Sequence, residues 1–158
     1  MGEKSNNNLR YSPIVIMFIV FCCVFVNFVG KHSADTNELP LWLDSLGTIF
    51  AAYVLGPVSG AIVGCSTNII YFFWDPNSLA YALTSIFIGI SFGLFARKRY
   101  LDSFFGATTV AGGVTLGSVV ISTILNLFFY DGYTGNVWGD GVINFLKEKD
   151  CPASLLLL

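Results

Sequence analysis

The stretch Leu39–Trp74, LPLWLDSLGTIFAAYVLGPVSGAIVGCSTNIIYFFW, decides the fold. It reads as two helices meeting at Gly56-Pro57, since proline favours the first helical position and glycine ends the helix before it. After Asp44 no charged residue interrupts the run before Asp75, which a soluble domain would have little reason to maintain. In a bilayer, by contrast, each polar group inside such a run needs a reason. Asp44, Ser45, Thr48, Asn68 and Tyr71 are therefore the first places to look for function.

Composition agrees. Hydrophobic residues make up 54% of the chain and charged ones 11%, and the charges sit in short clusters between apolar segments. About 20 apolar residues span the hydrocarbon core as a helix. The expected architecture is an all-α integral membrane protein: a polar cytoplasmic tail over residues 1–12, then a single transmembrane helical bundle over 13–158. Its five complete spans would cover about 13–30, 43–56, 57–74, 79–96 and 104–129. No small-residue cleavage site follows the first span, which reads as a retained helix rather than a signal peptide. The terminal CPASLLLL is too short to cross and is expected to begin an incomplete sixth span from about residue 151.

Between the first two spans, Lys31 to Pro40 reads as a polar loop carrying His32, Asp35, Asn37 and Glu38. The second span is short, and its outer end PLWLDS belongs in the interface or inside the protein, with Trp42 at headgroup level. Asp44 fits a helix N-cap, a role compatible with facing a ligand. Gly56, Gly60 and Gly64 recur at every fourth place, a pattern that lets a neighbouring helix approach closely; Gly89 with Gly93 and Gly113 with Gly117 repeat it. Packing within one chain is the simpler use of the stripe. Arg97-Lys98-Arg99 follows the fourth span directly and marks a cytoplasmic turn. Orientation accounts for this basic cluster, so no nucleic-acid partner is expected.

With the N-terminus in the cytoplasm of a cell-membrane protein, Lys4, Arg10, Arg97, Lys98 and Arg99 lie inside and Lys31, Lys147 and Lys149 outside. The same arrangement brings Asn27, Asp44, Thr48, Asn68, Tyr71, Trp74, Asn126, Trp138 and Asp140 to the outer face, with Trp42 beside them. Aromatic walls and a few orienting polar groups are what a small organic ligand requires. The stretch YDGYTGNVWGDG, Tyr130–Gly141, is an extracytoplasmic loop, and residues 141–150 could form a short interfacial helix. Cys22, Cys23, Cys65 and Cys151 show no metal-ligand spacing and serve as small apolar fillers; His32 is a loop residue. No cofactor or metal is expected, and no enzymatic activity.

The segment Pro40–Ile70, with its WLDSLGT and GPVSGAIVG pieces, and the later YTGNVWGD resemble the substrate-capture (S) subunits of energy-coupling factor transporters. The resemblance covers most of the chain from Val26 to Asp150. It implies a six-helix membrane protein that binds a vitamin-like micronutrient near its outer face, beneath loops that here would be 31–42, 75–78 and 130–140. It also implies partners: a transmembrane coupling subunit and ATPase subunits that hydrolyse ATP, consistent with the lack of a P-loop in this chain. The first span, IVIMFIVFCCVFV, carries no A-x-x-x-A pair of the kind many members use to dock the coupling subunit. The alternative reading is a transmembrane ligand-sensing input module of a larger signalling protein. A membrane enzyme using Asp44 and Asp140 as an acid-base pair is weaker, because no nucleophile or metal cluster accompanies them.

Overall fold

The computed structural model describes residues 11–39, 43–130, 132–133 and 137–148, all of whose regular structure is helical. The α-helices are α1 (Pro13–Thr36), α2 (Leu46–Leu55), α3 (Pro57–Tyr71), α4 (Ser78–Arg97), α5 (Phe104–Phe129) and α6 (Val137–Glu148). Short 3₁₀ turns at Leu43–Ser45 and Tyr100–Asp102 lead into α2 and α5. Trp42, residues 134–136 of the expected outer loop and the C-terminal segment from residue 149 lie outside the described residues.

Among the described residues three helices are long and apolar enough to cross a membrane: Pro13–Thr36, Ser78–Arg97 and Phe104–Phe129. The expected second and third spans are shorter. The turn at Leu43–Ser45 and α2 supply 3 and 10 residues, and α3 has 15, or roughly 22 Å at 1.5 Å per residue for the longer one. By length and apolarity, three of the expected five spans are long enough for a full crossing, and α2 and α3 form a shorter pair.

The first helix also outruns its expected end. Lys31, His32 and Asp35 lie on α1, not in a loop, because nothing between Gly30 and Thr36 breaks a helix. Termination comes at Asn37–Glu38. Glu38 takes a left-handed φ of 50°, its N–H bonds the Asp35 carbonyl, and the Leu39 N–H reaches back to the Ala34 carbonyl at 2.9 Å. That is a Schellman closure of the helix end.

At the opposite end of the bundle, Gly56 adopts φ 102°, a conformation that glycine reaches without strain. Pro57 then opens α3. Arg97 is beside this turn, its guanidinium 3.0 Å from where a Gly56 Cβ would lie, so the basic cluster and the Gly56-Pro57 turn share one end.

Helices α1 to α4 pack together, and α5 lies against α4. The α3/α4 seam is built on the expected glycines. A Cβ on Gly89 would stand 2.4 Å from the Gly60 carbonyl carbon, one on Gly93 2.4 Å from Pro57, and one on Gly64 2.8 Å from Ser85. The stripe is therefore used within the chain. Gly113 does not repeat the device, since a Cβ there would meet nothing within 4 Å.

The buried set is small or polar: Ala51, Ala52 and Val63 beside Asn27, Thr48, Thr67, Asn68 and Ser78. Large apolar side chains such as Phe18, Phe21, Phe25, Phe104, Phe105 and Phe128 face outward. This inversion suits a chain whose solvent is lipid, where helices associate by close packing and hydrogen bonds rather than by hydrophobic burial.

Gly89→Val should therefore lower stability by about 3 kcal/mol through overpacking, whereas Gly113→Ala should be neutral or stabilise by up to about 1 kcal/mol. Thermal unfolding of both purified variants in detergent checks the contrast.

Candidate functional site

Every fourth residue of α1 carries the site. Cys23, Asn27, Lys31 and Asp35 fall on one helical face; Asn27 is 0% and Lys31 7% exposed, whereas Asp35 at the helix end is exposed. Asn27 donates to Thr48 Oγ1 at 2.9 Å and Thr67 Oγ1 at 3.2 Å, and its carbonyl oxygen accepts the Gly47 N–H at 2.7 Å. One carboxamide thereby joins α1, α2 and α3.

One turn further along, Lys31 Nζ donates to Ser78 Oγ at 2.7 Å and stands 4.4 Å from the centre of the Tyr71 ring. Ser78 in turn donates to Asp75 Oδ2 at 3.0 Å. Another turn on, Asp35 accepts the Tyr71 hydroxyl at 2.5 Å. Asp44, half-buried in the turn before α2, lies within electrostatic reach of both Lys31 and Asp35. It is not the helix cap: that position falls to Ser45, with no side-chain capping bond. Phe28, Tyr71 and Trp74 form an aromatic group beside the charges, with centroids 5.6 Å (Phe28–Tyr71), 5.2 Å (Phe28–Trp74) and 6.3 Å (Tyr71–Trp74) apart.

A second polar group adjoins through α4. Tyr81 donates to Asn126 Oδ1 at 2.5 Å, its ring stacks on Tyr130 at 6.5 Å, and the Tyr130 hydroxyl donates to the Asn77 carbonyl at 3.1 Å. Burial and the nearby Asp75 carboxylate push the Tyr130 phenol above its ordinary value. Asp140 on α6 lies within electrostatic reach of Tyr81.

The expected residues thus sort by depth. Asp44, Tyr71, Trp74, Asn126 and Asp140 gather around the end where α1 and α3 finish and α4 begins. Thr48 and Asn68 are deeper. Thr48 is held by Asn27, and Asn68 donates to the Gly64 carbonyl at 3.0 Å and Ser85 Oγ at 2.8 Å, its own carbonyl oxygen having no partner among the described residues. Trp138 belongs to α6, but its side chain, like Trp42, is outside the described residues.

An apolar cleft of about 410 Å³ lies elsewhere, between α1 and α2, lined by residues including Phe18, Cys22, Val26, Leu46 and Phe50. It holds none of the expected site residues. Among the described residues no group of His, Cys, Asp and Glu could hold a metal ion.

Sequence reading missed Lys31, Asp35, Phe28 and Ser78 as members of this cluster. The signal was present in the four-residue spacing from Asn27 to Lys31 to Asp35, hidden because hydropathy falls at Gly30.

Long apolar helices, an interior of small and polar residues, and charges with aromatic faces gathered at one end define a helical membrane protein. The family model described as ECF transporter, substrate-specific component matches residues 13–156 of the 158, and the chain belongs to that family. No curated protein and no solved structure matches it. It is a multi-pass membrane protein, the substrate-binding subunit of an ECF transporter, and associates with other components of that transporter.

Asn27→Leu would leave the Gly47 N–H without its acceptor and remove the amide donor from Thr48 and Thr67, of which Thr67 keeps its own bond to the Val63 carbonyl. A loss of about 3 kcal/mol is expected from buried groups left unsatisfied. Thr84→Val, which removes the single 3.2 Å contact with Ser122, should cost about 1 kcal/mol or less. Denaturant titration in mixed micelles separates the two.

Proposed function

We propose that the chain captures a small organic micronutrient, vitamin-like in size, at the extracytoplasmic face, for uptake driven by ATPase subunits through a transmembrane coupling subunit. Asp44, Tyr71, Trp74, Asn126 and Asp140, with Trp42 and Trp138, contribute to the site, and Lys31 and Asp35 join them. The observation that carries the reading is the convergence, inside a family of transporter binding subunits, of Lys31, Asp35, Tyr71, Asp75 and Ser78 into one connected polar cluster next to aromatic rings. Helix ends supply further backbone donors and acceptors there.

Orientation follows from the same end-to-end division. Arg97, beside the Gly56 turn, stands with Lys98 and Arg99 at the end remote from the cluster, and basic residues favour the cytoplasm. The cluster then faces out and the N-terminus in.

Thermal-shift screening of the purified chain against a panel of vitamins is expected to find a compound that stabilises it by several degrees. Tyr71→Phe, which removes the bond to Asp35, and Asp44→Ala should each weaken that compound's binding by about tenfold, or ~1.4 kcal/mol, while leaving membrane insertion intact. A panel that yields no stabilising compound would count against capture.

A further inference from the structure

Lys31 is buried and, among the described residues, its amino group makes no direct ion pair. Its side chain is 7% exposed, and its contacts are one hydroxyl, Ser78 Oγ at 2.7 Å, and the face of the Tyr71 ring at 4.4 Å. Among the described residues no carboxylate comes within 4.0 Å of Nζ, the ion pair found there being Arg99–Asp102 on the exposed turn before α5. An ammonium has three N–H donors, so donor capacity remains after Ser78 is served. Removing one charge from water and leaving it unpaired is costly unless something arrives to pair it.

The surrounding acids make no direct ion pair with it: among the described residues none brings an oxygen within 4.0 Å of Nζ, and Asp35 and Asp75 are turned to other donors. Asp35 accepts the Tyr71 hydroxyl; Asp75 accepts the Ser78 hydroxyl through Oδ2 and the Asn77 N–H through Oδ1. Ser78 gives its proton to Asp75 and so turns a lone pair to Lys31. The result is a relay, Lys31 to Ser78 to Asp75, that fixes the ammonium in place without a direct ion pair.

We propose that Lys31 anchors the substrate through an anionic group, and that the substrate is an organic carboxylic acid rather than a cation or a neutral amide. This inference rests on the capture reading above. By charge count alone, Asp35, Asp44 and Asp75 would favour a cation. Contact geometry points the other way, since a ligand group binds at about 3 Å, where a charge-assisted hydrogen bond to an open ammonium donor is the strong interaction on offer. The rings of Phe28 and Trp74, beside Tyr71, would flank the acid's carbon skeleton.

The test uses the full chain purified in detergent and compounds that differ in charge on one skeleton: nicotinate, nicotinamide and 1-methylnicotinamide; pantothenate and panthenol; biotin and biotinamide. In at least one set the acid should raise the unfolding temperature while its neutral or cationic counterparts do not. Lys31→Met, which keeps the unbranched apolar stem, should weaken that acid at least tenfold by calorimetric titration. Should the variant fail to fold, the acid-against-amide comparison on the unaltered protein still decides. A preference for an amide or a cation, or full affinity in Lys31→Met, would overturn the anionic anchor and leave capture standing. Absence of stabilisation by any of these compounds and by the wider vitamin panel would remove both.

Discussion

Both ends of the Asn27 carboxamide are held by other helices, and the rest of the bundle is arranged around that fact. In lipid, a helix gains little by burying apolar side chains against another, so register must come from close contact and from polar groups with no other partner. Asn27 meets Thr48 on α2, Thr67 on α3 and the Gly47 backbone at once. Gly47 is a consequence: a Cβ there would stand 2.2 Å from the Cys23 carbonyl oxygen and 2.9 Å from Asn27 Oδ1. With α1 pinned at this level, its next inward turns must fall where Lys31 meets Tyr71 and Ser78, and where Asp35 meets the Tyr71 hydroxyl. The charged cluster inherits its geometry from an uncharged amide one turn away.

The glycine seam between α3 and α4 does the same for the other wall. Gly60 against Gly89 and Gly93 against Pro57 bring two backbones into contact, which leaves no freedom to slide one helix along the other. Tyr71 at the end of α3 and Ser78 at the start of α4 are therefore held at a fixed distance across a short turn. The turn itself is tied down by Asp75, which accepts the Asn77 N–H and the Ser78 hydroxyl. Further polar contacts, Thr84 with Ser122 and Tyr81 with Asn126, carry the arrangement on to α5.

Much of this was legible before any coordinates. The Gly56-Pro57 break and the use of Gly60, Gly64, Gly89 and Gly93 follow from local chemistry, because glycine and proline act on the backbone wherever they stand. The end of α1 was not legible by hydropathy. Lys31, His32 and Asp35 read as a loop only if a charged residue is assumed to leave the membrane-embedded body, and here Lys31 stays because Ser78 and Tyr71 receive it from 47 and 40 positions away. Such partners are invisible to a window of sequence. The shortness of α2 was legible, because Gly56-Pro57 ends it early; that α3 has only 15 residues was not, because its apolar run continues past Tyr71.

Depth separates the polar residues satisfied within the bundle from those with hydrogen-bonding capacity to spare. Asn27, Thr48 and Thr67 satisfy one another, and Asn68 ties α3 to α4 through Ser85 at a level where the glycine seam leaves little room. Its carbonyl oxygen, unpartnered among the described residues, lies within this tie, beside the hydroxyl its amide already engages. At the end of the bundle the balance changes. There the groups are charged and come from segments that finish or begin at that level, so their remaining hydrogen-bonding capacity cannot be met by a facing helix. A membrane interior selects strongly against such groups. Their retention, next to exposed Trp74 and buried Tyr71, is intelligible where the missing partner arrives from solution and departs again.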